Sequence, residues 1–282
     1  RYLHDRRIQA SSRHRVIDSR LMAEFRRNEE CMGTVFVFHG RTANAQIEQL
    51  LDRACEKLHE ADRIFSLYKP ESPLSQLARG ETSVANCPPV VEHVWDLCEQ
   101  WEHATGGYFK AFTPQHTFDP SGLVKTWAAQ NAINVLLSDG VTDFTLNAGG
   151  DIWIGDGVTN DIDWKIGISK PVTIASPEAG VLAVVNLKGS QFRALATSGS
   201  AERGAHIWNP QGSEAGTGEL VQVSVLAKDL VTADVWATAA FAEGPRALDR
   251  IAKLDDVEAM FVFSDGSIDG TDGFAQALRA AI

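Results

Sequence analysis

Apolar residues recur at three- and four-residue intervals over three long stretches, and they cluster or alternate over several short ones. Ile47, Leu50, Leu51, Ala54, Leu58, Ala61 and Ile64 share one helical face, which predicts a helix from Ile47 to Ile64. A second helix follows Pro88-Pro89 through Val91, Val94, Trp95, Leu97, Cys98 and Trp101 and stops before Gly106-Gly107. A third runs from Leu123 to Ser138, with Gly140 where a helix C-cap belongs. Before them, Thr34 to His39 reads as a strand, and Tyr68 to Leu77, with two prolines and two serines, reads as a loop.

Beyond residue 140 the period changes. Strands are predicted at Phe144–Asn147, Ile152–Ile154, Trp164–Ile168, Gly180–Leu187 and Leu220–Val225, separated by Gly, Asn, Asp and Pro clusters. Helices at Leu230–Glu243 and Pro245–Lys253 precede a closing strand, Ala259–Phe263. Runs of strands and runs of helices without βαβ alternation predict an α+β fold, with mixed or antiparallel sheets and helices packed on them. A subdomain seam is expected in the loop-rich stretch 108–121.

Charge and composition narrow the functional classes. The 282 residues carry 26 Lys+Arg against 37 Asp+Glu, a formal charge of −11, which argues against non-specific nucleic-acid binding. Any phosphate ligand must therefore be neutralised locally. No apolar run reaches the length of a membrane span. The first 30 residues hold eight Arg and five acidic residues without an apolar stretch, and read as a mobile Arg-rich tail preceding a domain over 31–282. Cys31, Cys55, Cys87 and Cys98 lack CxxC spacing and are expected to be reduced, mostly buried thiols, which favours a cytoplasmic location.

Four segments could carry chemistry. Asn147-Ala148-Gly149-Gly150-Asp151 ends a strand, where paired glycines admit a close ligand or simply form a turn; no helix follows, so it is not a dinucleotide fingerprint. Asp119-Pro120-Ser121-Gly122-Leu123-Val124-Lys125 leads into a helix whose free N–H groups and Lys125 suit an anion, unless Asp119 or Ser121 only caps it and Lys125 is solvated. Ala196-Thr197-Ser198-Gly199-Ser200 reads as a backbone nest for phosphate, with His206 beyond it as a proton acceptor or as a structural histidine. Asp234 and Thr238 lie four apart on one helix face amid small apolar residues. They suit Mg²⁺, although a dipole-stabilised Asp near a helix start reads the same way.

In order, these blocks resemble the ApbE family of FAD:protein FMN transferases. The likeness begins at Met32-Gly33-Thr34 and continues through Tyr68-Lys69-Pro70-Glu71-Ser72-Pro73-Leu74-Ser75 and the Asp119, Asn147 and Ala196 segments. It ends with His206-Ile207-Trp208-Asn209-Pro210 and Asp234-Val235-Trp236-Ala237-Thr238. The resemblance implies two closely associated subdomains with FAD in the cleft between them, and transfer of FMN to a Ser or Thr of an acceptor protein with release of AMP. It implies flavin and adenine contacts at Met32, Tyr68, Leu74, Ser75, Asp119, Lys125, Gly149, Gly150, Thr197 and Ser198. It further implies Mg²⁺ held by Asp234, Thr238 and a backbone carbonyl near Ser121, with Asp234 and His206 as the catalytic pair and His206 placed for proton transfer.

Two positions depart from the family pattern. Asn209 stands where Asp is usual, and Thr126 where Gly is usual, the latter expected to add a harmless Cβ inside a helix. The rival reading is a non-catalytic FAD carrier, or an FAD pyrophosphate hydrolase, on the same scaffold.

Overall fold

The computed structural model describes residues 22–113, 117–156, 165–171, 180–199 and 220–279. Among them ten strands and seven α-helices follow in the order β1 (Ala23–Cys31), β2 (Thr34–Thr42), α1 (Ile47–Phe65), α2 (Pro73–Ala78), α3 (Pro89–Ala104), α4 (Ser121–Ser138), β3 (Phe144–Ala148) and β4 (Asp151–Ile154). Then come β5 (Lys165–Ser169), β6 (Val181–Asn186), β7 (Ala194–Gly199), β8 (Leu220–Ala227), α5 (Leu230–Glu243), α6 (Ala247–Ile251), β9 (Val257–Phe263), β10 (Ile268–Gly270) and α7 (Asp272–Arg279). The fold is α+β, as the segregated pattern predicted.

Eight strands form one antiparallel sheet in the order β1-β2-β3-β4-β7-β8-β9-β10, and β5 and β6 form a separate hairpin. The alternation along β2 puts Phe36 and Phe38 on one face, fully buried together with Phe144, Leu146 and Ala148 of β3. That face is covered by α1, α4 and α5, whose Leu51, Leu58, Leu123, Ile133 and Val235 complete the main core. A second core lies on the opposite face, where Ile166 and Val185 of the hairpin and Phe274 of α7 pack over Leu195, Leu226 and Met260. Helix α5 is apolar almost all round because it is sandwiched between the sheet and α4.

The sequence misplaces three segments. Residues 23–30, expected in a mobile tail, form β1, paired over its whole length with β2 from Ala23↔Thr42 to Cys31↔Thr34. Alternation of Phe25, Arg27, Glu29 and Cys31 against outward charges is a strand pattern that the arginine content masks. Of the backbone nest expected at 196–200, residues 196–199 belong to the extended strand β7, hydrogen-bonded between β4 and β8, and Ser200 lies outside the described residues. The loop expected at 68–77 contains α2, capped by the Ser72 side chain accepting from the Ser75 N–H at 3.0 Å. Strand β10 and helix α7 have no counterpart among the expected elements. Trp164 and the segment from Ser200 to Glu219 lie outside the described residues. Among the described residues, no helix is long and apolar enough to cross a membrane.

All four cysteines are free thiols, three of them buried. Burial pushes Cys31 up to about 11 and Cys55 and Cys98 up to about 12, because a thiolate is poorly solvated there. At Cys98 the Asp119 carboxylate adds to the effect of burial. In the unfolded chain these thiols titrate near about 8.5. The folded state therefore holds the proton more tightly, and this contribution to stability is complete below that value and is lost as pH rises through the native values. At pH 8 the folded chain is expected to be alkylated at the half-buried Cys87 well before the other three, read by peptide mass spectrometry. Its unfolding free energy is expected to fall between about pH 9 and about pH 11, and to fall less steeply in a Cys31→Ala, Cys55→Ala, Cys98→Ala variant.

Candidate active site

Two hairpin tips meet at the start of the site. Cys31↔Thr34 closes β1–β2 around Met32 and Gly33, with φ of 53° and 70°, and Ala148↔Asp151 closes β3–β4 around Gly149 and Gly150, with φ of 66° and 108°. Positive φ at both central residues is what a two-residue hairpin demands. The tips abut: a Cβ on Gly149 would clash with Thr34 Oγ1, and the Gly149 N–H donates to the Val35 carbonyl at 3.3 Å. Asn147 Oδ1 accepts from the Gly150 N–H at 2.8 Å. The paired glycines thus form a turn, and the turn brings Asp151 back toward the sheet centre.

Beside these tips lies a cleft of about 720 Å³, lined by Met32, Tyr68, Asp119, Ser121 and Lys125 together with Asp62 and Lys69. Five residues drawn from three separate motifs therefore face one space. Tyr68 is 97 % exposed at the rim, while Leu74 and Ser75 are buried behind it. The Ser72 and Ser75 hydroxyls both donate to the Ser66 carbonyl, at 2.5 and 3.0 Å, anchoring the cleft wall to α2. Ser75 thus supports the wall through its hydroxyl. Asp119 Oδ1 accepts from the Ser121 N–H at 3.0 Å, so Asp119 satisfies one of the free amides at the start of α4 from just ahead of the Pro120 cap position.

Lys125 is largely withdrawn from water and paired. Its ammonium donates to Asp151 Oδ2 at 2.5 Å and stands 3.9 Å from Asp234 Oδ2, with side-chain exposures of 17 %, 4 % and 10 % for the three groups. Asp151 Oδ1 accepts from the Thr197 N–H at 3.2 Å, and Thr197 Oγ1 meets Ser224 Oγ at 2.9 Å. This geometry replaces the expected phosphate nest, since the Thr197 amide already serves a carboxylate. Ser198 Oγ lies 3.4 Å from Thr238 Oγ1, which joins β7 to α5.

Asp234 does not cap its helix. That role belongs to Asp229, whose Oδ1 accepts from the Thr232 N–H at 2.9 Å and whose Oδ2 accepts from the Thr232 hydroxyl at 2.7 Å. The Thr126 hydroxyl, fully buried, reaches Asp234 Oδ2 at 3.0 Å. The side chain expected to be a passive addition to α4 is therefore part of the polar network. Asp151, Thr126 and Asp229 were not among the candidate site residues. The partners of Asp151 and Thr126 lie too far along the chain for spacing to reveal them.

The donor set suits a hard cation. A buried carboxylate at Asp234 and a neutral oxygen at Thr238, one helical turn away, match Mg²⁺, which takes few protein oxygens and keeps several waters. Among the described residues no group of three or more His, Cys, Asp or Glu is placed to hold a metal. A site at Asp234 would therefore draw on fewer than three such side chains and be completed by neutral oxygens. His206 and Asn209 lie outside the described residues.

Deleting Asp151 would leave the part-buried Lys125 only its more distant partner, Asp234 at 3.9 Å. Asp151→Ala removes the near partner of Lys125 and the acceptor of the Thr197 N–H together. It is expected to lower the unfolding free energy by about 3 kcal/mol, measured by urea denaturation. A loss below about 1 kcal/mol would match a net worth typical of exposed pairs instead.

The ApbE family model matches residues 110–261, more than half of the chain. An FAD:protein FMN transferase of Rhodobacter capsulatus is 29% identical over 251 residues, covering 86% of this chain and 44% of that protein. Another from Escherichia coli (strain K12) is 23% identical over 167 residues, covering 56% of this chain and 46% of that protein. The chain spans about half the length of the curated relatives it matches. In fold it is similar to the flavin transferase ApbE from Vibrio cholerae, with a TM-score of 0.75 at 18% identity over 91% of this chain and 100% of that one. It is equally similar to the ApbE protein of Thermotoga maritima, with a TM-score of 0.76 at 18% identity and the same coverage. With the family model spanning the α4 start, the Gly149-Gly150 turn, β7 and Asp234, this chain belongs to the ApbE family.

Proposed function

We propose that this chain transfers FMN from FAD to a Ser or Thr hydroxyl of an acceptor protein and releases AMP. The observation that carries this reading is the convergence of Met32, Tyr68, Asp119, Ser121 and Lys125 on one cleft, with Lys125 leading directly to the buried Asp234. The matched relatives are named FAD:protein FMN transferases, which supports the FMN transfer itself.

The acceptor oxygen attacks the phosphorus on the FMN side of the pyrophosphate. A new P–O bond forms, the bond to the bridging oxygen breaks, and AMP leaves with that oxygen. In this reading His206 takes the hydroxyl proton, which is the role the resemblance assigns to it. Mg²⁺ held by Asp234, Thr238 and a carbonyl near Ser121 would spread the pyrophosphate charge. An ammonium has three donors, so Lys125 can serve a phosphate oxygen at the cleft as well as Asp151. With a bound Mg²⁺ added, Lys125, Asp151 and Asp234 would together be locally positive although the whole chain carries −11. The exposed Tyr68 ring offers a face for a flat aromatic ligand at the rim.

The test is incubation of the full chain with FAD, Mg²⁺ and a candidate acceptor, reading AMP by chromatography and the acceptor by intact mass. An FMN-sized mass gain with equimolar AMP supports transfer. AMP and free FMN without acceptor modification indicate hydrolysis, and intact bound FAD indicates a carrier.

Asp234→Ala is expected to abolish AMP release at millimolar Mg²⁺ while the melting temperature stays close to the parent's, because Ala suits a helix interior, Lys125 keeps Asp151 and the Thr126 hydroxyl keeps the Leu123 carbonyl. An active but less stable variant would refute the metal role. His206→Asn is expected to slow transfer roughly 10²- to 10⁴-fold, with FAD affinity nearly unchanged by fluorescence titration. Transfer at the parent rate would place the base elsewhere.

A further inference from the structure

Two consecutive residues of α4 approach the same carboxylate oxygen from the neighbouring helix. Lys125 Nζ stands 3.9 Å from Asp234 Oδ2, and Thr126 Oγ1 stands 3.0 Å from it. Thr126 is fully buried, and its oxygen is also 3.2 Å from the Leu123 carbonyl. A hydroxyl has one proton to donate. The carboxylate is the nearer acceptor and carries the charge, so it makes the stronger bond. The Leu123 carbonyl lies within the helix ladder and has that ladder as its own source of donors.

A buried hydroxyl that found no partner would be costly at this position, and Val would fill the same shape in the helix without it. The bond joins residues 108 apart in sequence and fixes the register of α4 against α5 at the one carboxylate the function requires.

We propose that Thr126 is a positioning residue for the metal, holding the Asp234 carboxylate in its ligating orientation; this rests on the reading of Asp234 as a Mg²⁺ ligand. Groups that hydrogen-bond a metal ligand orient it, and their loss typically weakens metal binding roughly 10- to 100-fold. The hydroxyl is the operative group, so Ser serves in place of Thr and Val does not.

The experiment is calorimetric titration of Mg²⁺ alone into the full chain, comparing the parent with Thr126→Val, Thr126→Ser and Asp234→Ala, with the melting temperature of each recorded without metal. Thr126→Val is expected to bind Mg²⁺ about 10-fold or more weakly. Thr126→Ser is expected to stay within about threefold of the parent, which shows that Val fails for want of a hydroxyl. A parent-like affinity in Thr126→Val, or an equal loss in Thr126→Ser, overturns the positioning role. Parent-like binding by Asp234→Ala, or no binding by the parent, instead overturns the metal site itself and the proposal with it. The midpoint of Mg²⁺ activation of AMP release should move in parallel with the calorimetric affinity.

Discussion

An ammonium shared between two buried carboxylates organises this molecule. Lys125 projects from α4 to Asp151 at the head of β4 and toward Asp234 inside α5, so one side chain joins a hairpin and two helices. Taken alone, these three groups carry one surplus negative charge. Such an excess is tolerable in a buried place only where hydrogen-bond donors converge on it. The Thr197 amide and the Thr126 hydroxyl are two such donors. The same excess is what a divalent cation would relieve, so the electrostatics that hold the fold together also prepare its chemistry.

Asp151 has a second structural task. The ladder between β4 and β7 consists of Ile152↔Leu195 and Trp153↔Ala194, and it joins the two sequence-distant halves of the sheet. Beyond Ile152 the carboxylate of Asp151 continues the connection by accepting from the Thr197 N–H. The seam of the sheet and the polar centre of the site therefore share a residue, and neither can shift without the other.

Much of this was legible in the sequence, for identifiable reasons. Helices α1, α4 and α5 carry enough regularly placed apolar residues for their period to show, and α1 and α5 differ from the expected spans by at most one residue at either end. Strand β7 was hidden because Ala-Leu-Ala-Thr-Ser-Gly lacks the β-branched alternation of a strand; its conformation is imposed by β4 on one side and β8 on the other. At the site, residue types identified Asp119, Lys125 and Asp234, because each carries a charge or a cap at a telling place. Thr126 and Asp151 could not be assigned partners, since proximity across 108 and 26 residues belongs to the tertiary fold.

The eight-stranded sheet does not close on itself, so β1 forms one of its borders among the described residues. An open border presents unpaired backbone groups to any extended chain, including a second copy of the protein. Within β1, Glu24, Arg26, Arg27, Glu29 and Glu30 put five charges in nine residues. Zipping two such borders together in antiparallel fashion would bring fixed charges out of water along the whole contact. The composition that disguises β1 as a tail thus also works against aggregation at this border of the sheet.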